Sequence, residues 1–110
     1  MSYRAIHRHA HIAARKARLV ASMIRGRKID DALTALEFSK LRGAWYFKAV
    51  LKSAIANAEE QDADVHTLFV TEIRVDEGPR TKRWRPKDRG RAHPFCKYSS
   101  HLYVTVDERT

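Results

Sequence analysis

Between Gly78 and Tyr98 the chain reads GPRTKRWRPKDRGRAHPFCKY. Eight of these residues are basic, only Asp88 is acidic, and the apolar side chains are few: Trp84, Ala92, Phe95 and Cys96. A segment so charged and so poor in apolar surface cannot bury enough of itself to fold as a unit. At about twenty residues it is also longer than connections inside compact domains usually run, which marks it as functional. Its flanks give it a shape. On one side Phe69, Ile73 and Val75 alternate with Glu72, Arg74 and Asp76; on the other, Leu102, Val104 and Val106 alternate with Tyr103, Thr105 and Asp107. Period two is the signature of half-buried strands, here expected to pair antiparallel. The run between them then becomes two arms with a tip near Asp88. Ten residues per arm at about 3.3 Å each would carry that tip about 33 Å beyond the body. Pro94, which has no N–H to donate, is expected to interrupt regular pairing on the returning arm.

Upstream of the strands the apolar period is helical. Ala13, Ala17, Val20, Ala21 and Ile24 form one stripe, and Arg15, Lys16, Arg18 and Arg25 lie mostly off it, so a first helix has a basic outer face and stops at Gly26. Ile29, Leu33 and Leu36 mark a short second helix with Asp30 and Asp31 in its first turn, where the amide dipoles favour negative charge. Ala44, Phe47, Leu51, Ala54, Ile55 and Ala58 mark a third, roughly Leu41 to Glu60, as the hydrophobic spine. A shorter strand near Tyr3 to His9 is a candidate to join the other two. The expectation is one α+β domain, since 110 residues leave room for one core.

Charge is divided along the chain in the same way. The net charge of +9 conceals eight basic residues and no acid in 1–28, ten acids against five bases in 29–77, and the basic run 78–98. Two basic blocks interleaved with Trp84, Phe95 and Tyr98 suit a polyanion with exposed bases, because guanidinium groups fork onto phosphate oxygens and flat rings stack on bases. A membrane surface is disfavoured, since the basic run has no apolar face to embed, and no stretch approaches the ~18 apolar residues of a span. The basic N-terminus lacks the apolar block of a secretory signal, and the lone Cys96 has neither a disulfide partner nor zinc-site spacing, so a reducing, cytoplasmic setting is expected.

His7, His9 and His11 alternate and could set three imidazoles on one side of a strand, but Arg4, Arg8 and Arg15 surround them and oppose a cation. Cys96 with His93 or His101 lacks an orienting acid. The second helix after Gly26 resembles the reading helix of a helix-turn-helix, yet it is acidic and has no Arg, Asn or Gln to read base edges. No catalytic residue, metal or cofactor is expected; an RNA-processing enzyme and a DNA-compacting protein are the competing classes.

Specific words in the sequence point further. Arg15-Lys16-Ala17-Arg18-Leu19-Val20, Ile24-Arg25-Gly26, Ser53-Ala54-Ile55-Ala56-Asn57-Ala58-Glu59, Val75-Asp76-Glu77-Gly78-Pro79, Lys82-Arg83, Gly90-Arg91-Ala92 and Ser100-His101 occur in order. From about His7 to Asp107 this resembles the bacterial-type family of ribosomal large-subunit protein twenty-two. The resemblance implies three helices packed on a three-stranded antiparallel sheet, with a long basic β-hairpin extension: a body of 1–77 and 99–110 and a hairpin of 78–98. It implies contact with several domains of large-subunit ribosomal RNA and with neighbouring ribosomal proteins, a part in early assembly, and a hairpin tip that lines the nascent-peptide exit tunnel. Carried over by position, the RNA-binding residues are Arg15, Lys16, Arg18, Arg25, Asn57, Arg80, Lys82, Arg83, Arg85, Lys87, Arg89, Gly90, Arg91 and Lys97. The tip facing the nascent peptide is Lys87, Asp88, Arg89 and Gly90. The sequence departs from the family at Trp84, Asp88, Pro94 and Tyr98.

Overall fold

A computed structural model describes the backbone of residues 2–87 and 91–108, and the side chains of 2–82 and 97–108. The tip residues Asp88, Arg89 and Gly90 lie outside the described residues. The order is β1 (Ser2–Ala10), α1 (Ala14–Ile24), α2 (Ile29–Phe38), α3 (Arg42–Glu60), a 3-10 turn (Val65–Thr67), β2 (Leu68–Glu77), β3 (Thr81–Lys87), β4 (Arg91–Lys97) and β5 (Ser100–Glu108). Three helices pack on an antiparallel sheet of order β1-β5-β2, and β3 pairs with β4 in a separate two-stranded ladder.

Local chemistry places the helices. Ala14, Ala17, Val20, Ala21 and Ile24 turn one face of α1 inward, and Gly26, at φ 77°, takes the left-handed conformation that lets the chain leave the helix without strain. In α2 the buried positions are Ile29, Ala32 and Leu36, with Leu33 only half-buried. In α3, Phe47, Leu51, Ala54 and Ala58 have no exposed surface. The small residues let α1 come close: a Cβ on Gly43 would stand 3.0 Å from Val20 Cγ2 and 3.1 Å from Ile12 Cδ1.

In the sheet β5 is central, and its Leu102, Val104 and Val106 are fully buried between strands and helices. Two expectations need correction. Phe69 is not the inward residue of β2. The register against β5 shifts between Val70 and Glu72, so Thr71 is an extra residue, and the bulge puts Leu68 and Val70 inward in phase with Ile73 and Val75. Nor is β1 short. It is nine residues long because β5 gives it a partner throughout, apart from a shift between His7 and Ala10 where His9 adopts φ 59°.

The arms run in unbroken register from Thr81↔Lys97 to Lys87↔Arg91. The expected break at Pro94 is absent. Pro94 faces Trp84 and Pro86 faces Ala92, two register steps apart, so both prolines belong to one class of pair. In the non-hydrogen-bonded class the N–H points away from the partner strand and a proline loses nothing. The principal extents are 64 × 24 × 16 Å.

The root of the ladder is stitched to the body. The Gly78 N–H donates to the Ser99 carbonyl at 2.9 Å, and Ser99 Oγ donates to the Pro79 carbonyl at 2.8 Å. One residue on, the buried Ser100 Oγ donates to the Ile12 carbonyl at 2.6 Å, tying β5 to the link between β1 and α1.

Candidate nucleic-acid interface

The basic residues of α1 divide by use. Arg15 and Lys16 are exposed. Arg18 and Arg25 are anchored: their Nη2 atoms donate to the carbonyls of Val75 at 3.1 Å and Ile73 at 3.2 Å. Because β2 is an edge strand, those carbonyls face away from β5, and the two arginines close an edge that would otherwise offer itself to a foreign strand. The turn after α1 finishes the closure, with Gly26 N–H donating to Val70 O at 3.0 Å and Val70 N–H to Arg27 O at 2.9 Å. Each guanidinium has five N–H donors, so an anchored arginine keeps donors for a phosphate. Asn57 does the same for the opposite edge, its Nδ2 donating to the Arg4 carbonyl of β1 at 2.9 Å. Sequence reasoning assigned Arg18, Arg25 and Asn57 to RNA alone and missed this structural role, because it depends on which strands are edges.

On the hairpin, Arg80 pairs with Glu77 at 3.7 Å and lies over the Tyr98 ring, 5.4 Å from its centroid. Lys82 and Lys97 are exposed. Arg83 faces Phe95 in the register, Arg85 faces His93 and Lys87 faces Arg91. Arg89 and Gly90 lie outside the described residues. The histidines do not line up. His7 meets the edge of Tyr46, with centroids 5.8 Å apart. His9, turned at the bulge, meets His101 at 4.9 Å and donates its backbone N–H to His101 Nδ1 at 3.2 Å. His11 lies past the end of β1. Among the described residues no three potential ligands come together around a metal position.

Where the root of the hairpin meets the starts of α1 and α3 there is a hollow of about 710 Å³. Leu19, Leu41 and Tyr98 form its apolar lining over the buried Ile12; Lys16, Arg42 and Lys97 are its charged residues. Both helices begin here without an acidic residue in the first turn and without a side-chain cap, so the positive ends of their dipoles add to the cationic character. Arg42 was missed in the sequence because nothing in the α2–α3 link shows that it returns to the foot of the hairpin.

Comparison with known proteins identifies the family. Residues 5–107 match the family described as ribosomal protein L22p/L17e. The chain is also similar to the large ribosomal subunit protein uL22 of Syntrophobacter fumaroxidans (strain DSM 10017 / MPOB), with 44% identity over 110 residues, covering 99% of this chain and 100% of that protein. A small α+β body, a basic helix face, a basic hairpin and matches over nearly the whole length lead to one conclusion: the chain belongs to the ribosomal protein L22p/L17e family, the non-enzymatic structural constituents of the large ribosomal subunit.

Proposed function

We propose that the chain binds large-subunit ribosomal RNA through two basic elements, the outer face of α1 and the hairpin 78–98, and by bridging RNA segments of different domains supports early assembly. Body and hairpin act as one domain with two duties: the body fixes the position, and the hairpin is a cationic strut through RNA. Its tip, Lys87 to Gly90, lies at the wall of the nascent-peptide exit tunnel. One observation carries this reading. The ladder β3–β4 holds Arg83, Arg85, Lys87, Arg91 and Lys97 on strands that belong to no sheet of the body. A two-stranded ladder is marginal in water by itself, and mutual repulsion makes this one worse, so a polyanion is the partner that stabilises it.

The test is salt-dependent binding to a large-subunit ribosomal RNA transcript. If about eight phosphates are neutralised, log K should fall against log salt with a slope of roughly −6 to −7. A shallow slope, or equal affinity for duplex DNA and the transcript at matched salt, would reject the reading. Crosslinking from position 87 to a nascent chain on assembled subunits tests the placement of the tip separately.

A further inference from the structure

We infer that the hollow at the foot of the hairpin is a receptor for one unstacked nucleotide of the bound RNA, its base against Tyr98 and its phosphate among Lys16, Arg42 and Lys97. This deepens the RNA-binding reading above and rests on it.

Three observations converge. First, Leu19, Leu41 and Tyr98, at 60%, 43% and 48% exposure, are three of the large apolar side chains that the described surface leaves in solvent, and all three line this hollow. A cluster of that kind, at a junction of three elements, marks a binding position rather than scattered surface. Second, the Tyr98 ring is presented for stacking. It borders both this hollow and a smaller one, and the Arg80 guanidinium over the ring lines only the smaller one. Arg80 thus contacts the ring from outside the larger hollow, and the part of Tyr98 that lines the larger hollow is not shared with Arg80. Third, every fully charged residue of the lining is a cation. The acid in the neighbourhood, Glu77, lines the smaller hollow, where it pairs with Arg80. An apolar floor, an aromatic face and a cationic rim together match the parts of a nucleotide, and about 710 Å³ lies within the ~300–1,000 Å³ of pockets that take small-molecule ligands. An apolar protein segment would use the floor and leave three cations uncompensated.

Sequence-specific readers of RNA commonly bind bases that have left the helix and stack them on aromatic or guanidinium planes. The foot of a strut wedged between RNA segments is where such a base would be captured, and its capture would fix how far the hairpin enters.

The experiment uses the full chain with two probes, single-stranded oligoadenylate and a blunt RNA duplex, alongside the ribosomal RNA transcript. Tyr98→Ala and Leu41→Ser alter exposed residues and remove no charge. Tyr98→Ala should weaken oligoadenylate binding by roughly 5- to 150-fold, the factor one base–aromatic stack is worth, and Leu41→Ser should weaken it as well, both with the salt slope unchanged. Tyr98→Phe should retain wild-type affinity, and the Tyr98 ring resonances should shift when oligoadenylate is added to the wild type. Oligoadenylate affinity unchanged in both variants, or duplex bound by the wild type as tightly as oligoadenylate, would overturn the proposal while leaving the RNA-binding reading in place. Loss of binding to large-subunit proteins with RNA affinity unaltered would overturn it in favour of protein docking. A wild type that binds neither oligoadenylate nor transcript would overturn both readings.

Discussion

Ser100 shows how much can hang on one hydroxyl. It is fully buried, and its Oγ is 2.6 Å from the Ile12 carbonyl, where the sheet, α1 and the foot of the hairpin meet. Ser100→Ala should lower unfolding free energy by about 1–3 kcal/mol, the cost of leaving a buried carbonyl without its donor; a denaturant titration measures it. Tyr3 gives a prediction in pH. Burial pushes its hydroxyl above 10.0, helped by the 3.0 Å hydrogen bond it donates to Glu108 and by the charges of Glu108 and Asp107. Above 10.0 the unfolded chain loses this proton before the folded one does, so the folded state binds more protons. The contribution is therefore complete below pH 10.0 and is lost as pH rises from there through the raised folded value. In an alkaline denaturation series, Tyr3→Phe should show a shallower decline than the wild type. Neither role is legible in sequence, where Ser100 and Tyr3 are ordinary strand residues, because both depend on partners at separations of 88 and 105 positions.

At the scale of elements, periodicity reveals most of the fold. The stripes of α1 and α3 predict most of their buried faces, since a helix that packs on one side must repeat near 3.6; α1 buries Ala14 rather than Ala13, and α3 also buries Tyr46 and Val50 while Ile55 is only half-buried. The strands were harder. Counting by two from Phe69 fails at Thr71 because a bulge resets the phase, and one additional residue leaves no compositional trace. The basic helix face was legible as charge but not as structure, and that difference is testable. Replacing Arg18 and Arg25 with Gln should destabilise the fold by about 1 kcal/mol per lost hydrogen bond and expose the β2 edge to self-association. Replacing Arg15 and Lys16 with Ala should leave stability within about 0.5 kcal/mol. It should instead make the salt slope of RNA binding shallower by about 0.7 to 0.9 per residue. Thermal melts and sedimentation read the first pair, and binding isotherms the second.

Across the whole molecule the hydrophobic core and the basic hairpin arms occupy different parts. The core of the described residues holds together β1, β5, β2 and the three helices, and the ladder β3–β4 is a separate two-stranded sheet. Deleting residues 80–96 should therefore leave a body that melts cooperatively near the wild-type temperature but fails to support subunit assembly. In the intact free protein, amides of 81–87 and 91–97 should exchange much faster than those of β5 and gain protection when RNA is bound. Equal protection in both states would mean that the ladder needs no partner. This division was the most legible feature of the sequence, because the arms are set apart by charge alone. The receptor-like hollow was the least legible, being assembled from three elements far apart in the sequence.

The arms leave the body as near-direct continuations of β2 and β5, with only 78–80 and 98–99 between strand and strand. That continuity constrains how the family can vary over evolutionary time. A residue gained or lost in one arm alone must be absorbed as a bulge or must turn over every side chain beyond it, exchanging one face of the ladder for the other. Hairpins of new length should therefore arise through matched changes in both arms, in steps of two residues per arm where the faces must be kept. The tip can then move outward or inward along its axis while the pattern of contacts along its flanks is inherited intact.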